Sequence, residues 1–507
     1  MASNTAKRHA DAKPAAASSP CLTAANGSRL RVRMYRQGLG DCFLLSVLRP
    51  QGRPFHMMID CGVILGTPDA AGRLRAVVAD IVATTAATPG GPGHVDVLVV
   101  SHQHFDHVAG FKLAKNLFAL PTENQPAGKL SVGEVWFAWT EDPANTVATK
   151  LRSDRQDHLK ALTAVSGQLA AIGADTAPAL DRALQFFGVS PCGTGLGDTA
   201  EAMAFAATLS QRPVRYHLPG TDLALDGAPE LHVYVLGPPT DRADLMRTDS
   251  ATEVYHLDAD DLLSSVRLAA GGEDGLNGRY GSGPFDQTWS YPLSDPATGQ
   301  PTGPLAEYLE ASYFGPQVVT PTTDLSWRRV DGAWLASSEQ LALALDSATN
   351  NTSLALAIEV AGSGKVLLFP ADAQVGNWLS WQPLQWTVDG KAVTAADLLG
   401  RTVFYKVGHH GSHNATLKAK GLELMPTADL VAFIPVDHAM AVKKGWGQMP
   451  LPSLVQALQS RCGPQLVCLD EDLAAGVQGV SSGGAAGAFG SLFYEWTLPL
   501  AQPEEAA

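Results

Sequence analysis

Residues 95–110 read Val95-Asp96-Val97-Leu98-Val99-Val100-Ser101-His102-Gln103-His104-Phe105-Asp106-His107-Val108-Ala109-Gly110. The first six are β-branched or apolar except for Asp96, which is the pattern of a buried strand. His102, His104, Asp106 and His107 follow within a span of six positions. Imidazole and carboxylate are first-choice ligands for zinc and its neighbours. A strand that ends in such a loop holds its ligands on a rigid edge, as a hydrolytic metal centre requires. The stretch therefore predicts a layered α/β protein with a metal site at a sheet edge.

Two later strand ends carry similar chemistry. Lys365-Val366-Leu367-Leu368-Phe369-Pro370-Ala371-Asp372 delivers an aspartate, and Thr402–Val407 runs into Gly408-His409-His410-Gly411-Ser412-His413. Two adjacent imidazoles are costly to bury unpartnered, and the flanking glycines permit close approach of the backbone. Six of the 14 histidines lie in these two loops. Lys406, by strand alternation, is expected to turn away from the site and pack at a sheet edge.

Outward from these loops, Arg31–Arg36, Cys42–Leu48 and Phe55–Ile59 read as strands, the first two joined by the turn Gly38-Leu39-Gly40-Asp41. Leu74, Val77, Val78, Ile81 and Val82 recur at helical spacing. Residues 143–210 are helical in pattern, 231–236 form a strand, and 240–335 are rich in Asp, Gly, Pro and Tyr with little periodicity. Strand-like runs return at 353–360, 365–369, 402–407, 430–434, 465–469 and 491–498, with a helix at 453–459. The organisation that follows is a disordered tail over 1–28, a first half-domain over 29–142, a helical and irregular insertion over 143–335, a second half over 336–500, and a short tail over 501–507.

Composition sets outer limits. The chain has 507 residues and a formal net charge of −14, a poor field for non-specific binding to polynucleotides or anionic membranes. Six cysteines lie without a Cys-x-x-Cys pair, as expected for reduced thiols in the cytoplasm. No apolar run is long enough to span a bilayer.

With these residues in view, the chain resembles the metallo-β-lactamase superfamily, and within it the ComEC-type hydrolase domains of DNA-uptake proteins and their stand-alone relatives. Gln37–Cys42 is similar to that group's Gly-Gln-Gly-Asp-Ala hairpin, and Met58-Ile59-Asp60-Cys61-Gly62 to its Leu-Ile-Asp-Thr-Gly strand end. Ser101–Gly110 resembles the superfamily metal motif. Asn351-Thr352-Ser353-Leu354, Leu368–Asp372 and Lys406–Ser412 resemble its closing series. The resemblance covers 29–135 and 345–470 and leaves 143–335 unaccounted for. It implies an αββα sandwich holding two divalent metals, zinc or alternatively manganese. His102 and His104 would bind the first metal, Asp106 and His107 the second, and Asp372 would bridge them. His409 or His410 would complete the second site. Asp60 would orient the metal loop from outside the ligand sphere. No counterpart is evident for the further histidine that many members supply to the first metal: His158, His217, His232 and His256 all lie outside a matching context.

The chemistry implied is hydrolysis of a phosphodiester by a metal-activated water, since a bound divalent metal lowers the pKa of water toward about 7. Asp106 would orient that water, and His413 would protonate a leaving oxygen or contact a phosphate. The expected substrate is small or single-stranded. Hydrolysis of a lactone, thioester or amide is the alternative, because the same metals polarise carbonyls. A partner-binding protein that recruits through 143–335 is a third reading, and redox chemistry at an iron pair a fourth, disfavoured by the lack of a flavin fingerprint. Trp378, Trp381 and Trp386 are expected in the core in preference to a pocket wall.

Overall fold

Alternating apolar residues near the N-terminus build the first sheet. In the computed structural model, which describes residues 27–171, 178–190, 195–247, 302–313, 323, 325, 328, 333–426, 429–446, 449–474, 476–484 and 487–500, β1 (Arg29–Tyr35) pairs antiparallel with β2 (Phe43–Leu48). The hairpin expected around Gly38–Asp41 is thus present. β3 (Phe55–Ile59) continues antiparallel, and β4 (Gly93–Val99), β5 (Leu130–Ala138) and β6 (Arg215–His217) then add in parallel.

The second sheet takes β7 (Asp222–Leu225), β8 (Ala228–Val235), β9 (Leu356–Val360) and β10 (Lys365–Phe369) as an antiparallel meander. A small separate hairpin, β11 (Gln385–Val388) and β12 (Lys391–Thr394), follows. β13 (Thr402–Lys406), β14 (Val431–Ile434) and β15 (Leu466–Cys468) extend the second sheet in parallel. β16 (Val480–Gly483) and β17 (Phe493–Pro499) return to the first sheet beside β1. The orders are β16-β17-β1-β2-β3-β4-β5-β6 and β15-β14-β13-β10-β9-β8-β7. Within the span 143–335, residues 215–235 therefore supply strands to both sheets.

Side-chain alternation sorts the core into layers. Phe43, Leu45, Ile59 and Val99 of the first sheet pack with Ile358, Leu367, Phe404 and Phe433 of the second in one inter-sheet core. Leu44, Met58 and Leu98 point the other way, against the helices Ala70–Thr85, Phe105–Leu113 and Asp198–Ala207. On the far side, Leu368, Tyr405 and Ile434 meet the helices Pro178–Phe186, Ala333–Asn350 and Ala395–Gly400. Helices thus cover both outer faces of two packed sheets, and the protein is α/β.

Trp378, Trp381 and Trp386 lie in the core, as expected, with the tilted rings of Trp378 and Trp381 4.1 Å apart between centroids. Cys42, Cys61, Cys462 and Cys468 are buried free thiols. No helix among the described residues is long and apolar enough to cross a membrane. Most of the irregular stretch 240–335, and the two tails apart from residues 27 and 28, lie outside the described residues.

Candidate metal centre

Strand ends from both sheets converge on one point. Asp60 follows β3, the His102–His107 loop follows β4, Asp372 follows β10, and His409-His410 follow β13. The carboxyl ends of parallel strands are the usual place for a site in such sheets. The backbone is locally strained there: Asp60, Ala371, His409 and His410 all have left-handed φ, from 42° to 57°, a conformation non-glycine residues hold only when their surroundings enforce it. The β1–β2 turn presses onto the His102–His107 loop through Asp41 N–H to Asp106 C=O (3.0 Å) and Gly62 N–H to Asp41 C=O (2.9 Å). A Cβ on Gly62 would overlap the Asp106 carbonyl, so glycine is required at 62.

Hydrogen-bond chemistry fixes the ring nitrogens. His410 Nδ1 lies 2.8 Å from the Pro435 carbonyl, which can only accept, so Nδ1 carries the proton. His107 Nδ1 donates to Asp60 Oδ2 at 2.8 Å. Ser101 Oγ gives its own proton to Asp60 (2.6 Å) and so accepts from His102 Nδ1 at 3.1 Å. In the neutral form of each of these rings the bare nitrogen is Nε2, and it faces inward.

What it faces is other acceptors. His107 Nε2 lies 3.1 Å from Asp372 Oδ2 and 3.8 Å from Asp106 Oδ2; His410 Nε2 lies 2.9 Å from Asp106 Oδ2 and 3.5 Å from Asp372 Oδ2. Lone pairs at such distances repel unless a proton or a cation lies between them. Ligands about 2.1 Å from a tetrahedral zinc stand about 3.4 Å apart, within this range. His102 Nε2 faces His104 Nδ1 at 3.1 Å in the same way. His107 Nε2, Asp106 Oδ1, Asp372 Oδ2 and His104 Nε2 are buried without a hydrogen-bond partner among the described residues. Burying that many unsatisfied polar atoms costs about 1–3 kcal/mol each, so the donor set fits a cation.

Electrostatics follow the same geometry. Burial disfavours charge on His107 and His410, yet the surrounding carboxylates, Asp372 first, hold both pKa values above the ordinary range. Burial would raise Asp106 and Asp372, but the facing imidazoles, with Lys406 at Asp372, bring both below it. Burial lowers His104 to about 3 and His409 to about 4.

Asp41, His107, Asp372 and His410 present ligand atoms within 4.8 Å of one another. Asp41, however, lies 3.8 Å from the Nδ1 atoms of His107 and His410, and those are already committed to Asp60 and Pro435. Its Oδ2 is 2.5 Å from Lys406 Nζ. Asp106, on the Nε2 side, is the better-placed fourth group. Lys406 itself departs from expectation. Alternation puts it on the same inter-sheet face as Phe404, and at the strand end that face opens onto the site, where Nζ also meets Asp372 Oδ1 at 3.1 Å.

Of the two adjacent histidines, His410 reaches the centre. His409 turns its Nδ1 to Ser412 Oγ (2.8 Å) and Gln374 Nε2 (3.3 Å). Asp60 stands behind the His102–His107 loop, accepting from Ser101 N–H at 2.7 Å. Ser353 Oγ accepts from the Asp372 N–H (3.2 Å), and Asn351 Oδ1 accepts from the Gln374 and Asn377 N–H groups. His413 is exposed on a cleft of about 550 Å³ that also includes Arg182, Phe186, Asp346, His409, Asn414 and Trp446. His217 packs on Trp136, and His232 pairs with Asp222 at 3.0 Å. His256 lies outside the described residues.

Sequence reasoning passed over Asp346. It sits near the C-terminal end of the helix Ala333–Asn350, where the macrodipole disfavours an acid. That misplacement in an Ala- and Leu-rich helix was its only signal. No protein family, characterised protein or solved structure matches this chain.

Proposed function

We propose that the chain is a dinuclear metal-dependent hydrolase of the metallo-β-lactamase class, its layered sheets forming that fold's αββα sandwich, and that it cleaves a phosphodiester. The observation that carries this reading is the convergence of bare, buried Nε2 atoms of His107 and His410 on the carboxylates of Asp106 and Asp372, at 2.9 to 3.8 Å. In this reading His102, His104 and Asp372 hold one metal, and Asp106, His107, Asp372 and His410 the other, zinc or manganese. Such a pair would supply Lewis acidity and an activated water. Asp106 Oδ1, which has no other partner, accepts a hydrogen bond from the attacking water and aligns it. Asp60 and Pro435 hold the His107 and His410 rings in the tautomer that leaves Nε2 free.

The cleft beside His409 is the substrate site in this proposal. Arg182 lines it with no ion pair among the described residues and suits a phosphate. Its volume suits a small or single-stranded substrate. Phe186, Trp446, Met449 and Leu451 make one wall apolar, which keeps a lactone or thioester as the second substrate class. The four buried thiols suit a reducing compartment, and we place the protein in the cytoplasm. The test is turnover by metal-loaded protein and an Asp106→Asn variant on bis(p-nitrophenyl) phosphate, cyclic nucleotides and oligonucleotides, with nitrocefin, lactone and thioester in parallel. Phosphodiester cleavage lost in the variant is expected. Cleavage confined to the carbonyl substrates would overturn the phosphodiester assignment.

A further inference from the structure

The two ring nitrogens of His104 have different neighbours. Nδ1 faces the bare Nε2 of His102 at 3.1 Å. With a cation joining these two atoms, Nδ1 is bare as well, and the single proton of a neutral His104 sits on Nε2. That atom is buried and makes no hydrogen bond among the described residues. One carboxylate among the described residues comes within 4 Å of it: Asp346, whose Oδ1 lies 3.7 Å away and is itself buried without a partner. The other oxygen, Oδ2, is occupied by Asn350 Nδ2 at 3.3 Å. The gap is just beyond hydrogen-bond length, and the two atoms have no other use.

The remaining metal-facing histidines set the pattern. Each has an acceptor behind its ring: Ser101 Oγ for His102, Asp60 for His107 and the Pro435 carbonyl for His410. His104 lacks one unless Asp346 serves. An acid near the C-terminal end of a helix works against the macrodipole, and burying it adds a desolvation cost. A facing N–H offsets both. The helix that carries Asp346 is anchored by Leu341 and Leu345, which pack in the same core as Leu162, Leu180 and Phe186.

We infer that Asp346 is a positioning residue for the first metal: its carboxylate receives the Nε2–H of His104, fixes the ring, and leaves Nδ1 to the metal. The inference rests on the metal reading above and assigns a task to a part of the chain outside the recognised ligand series. It also reinforces the first metal, whose protein ligands are fewer than those of the second.

Zinc content and competitive chelator titration, with cobalt(II) absorption as a spectroscopic report on the first site, test it in the full-length protein. Wild type is expected to bind two equivalents. Asp346→Ala should bind the first metal about 10–100-fold more weakly and alter the cobalt band, while its second equivalent remains and reports an intact fold. Asp346→Asn, which keeps an acceptor oxygen, should restore the first equivalent. Wild-type affinity at both sites in Asp346→Ala would overturn the inference. So would an Asp346→Asn as weak as Asp346→Ala, which would make the carboxylate a ligand. Absence of metal from wild type would overturn the metal reading itself, a result distinct from either.

Discussion

Lys406 and Asp372 form a buried ion pair, Nζ to Oδ1 at 3.1 Å, while the other oxygen of the same carboxylate stands 3.1 Å from His107 Nε2. One side chain thus divides its two oxygens between a fixed cation of the protein and the metal-facing space. Lys406 also meets Asp41, so a single buried ammonium balances two buried acids.

Removing that ammonium should be costly. Lys406→Met leaves Asp41 and Asp372 without their cation, and breaking such a buried pair from one side costs about 3–5 kcal/mol. Urea denaturation of the variant should show a correspondingly lower midpoint with an unchanged slope. A loss under about 1 kcal/mol would mean that Lys406 is not the counter-charge of the site.

The adjacent histidines should separate cleanly. His410→Ala removes an Nε2 that faces two carboxylates, so one metal equivalent should be lost by elemental analysis. His409→Ala should retain both equivalents, since its Nδ1 is bound to Ser412 and Gln374. Equal loss in the two variants would contradict the orientation of the turn.

Metal binding should release protons. The facing carboxylates raise the pKa values of His107 and His410, which favours protonation of their Nε2 atoms in metal-free protein. A metal must displace those protons, and apparent affinity therefore rises with pH. Calorimetric titration of zinc in two buffers of different ionisation enthalpy measures the number released, and a value of zero would refute the assignment.

His217 predicts a separate pH effect, far from the metal chemistry. Burial against Trp136, with Arg215 nearby, lowers its pKa to about 4. The folded state then binds fewer protons than the unfolded state between pH 4 and the ordinary histidine value of about 6.5. Its contribution is complete above the upper limit and is lost as pH falls through that window, by about 3 kcal/mol at most. His217→Gln should flatten the fall in unfolding free energy between pH 7 and 5; an unaltered slope would show that the ring is not the titrating group.

Much of this was legible in the chain because it rests on local pattern. The strand at β4 and the His102–His107 loop follow from alternation and ligand chemistry over a dozen residues. Lys365–Phe369 is a strand with the same limits in sequence and structure. Lys406 was misread because alternation assigns a face but not what lies across it, and the second sheet turns that face toward the site. Asp346 was missed because its partner, His104, lies more than 200 positions away and on another layer. Strand β6, three residues long, overlaps the strand-like run Val214-Arg215-Tyr216, but its pairing with β5 is not visible in the sequence.

Asp106 and His410 are separated by 304 positions in the chain yet stand 2.9 Å apart. A ribosome therefore completes the donor loop of the first sheet long before Asp372 and His410 are synthesised. Until they arrive, the donor set begun by His102, His104, Asp106 and His107 is incomplete, and it is complete only where the second sheet packs on the first. In the proposed metal reading, a chain whose two sheets have not met cannot present the complete donor set.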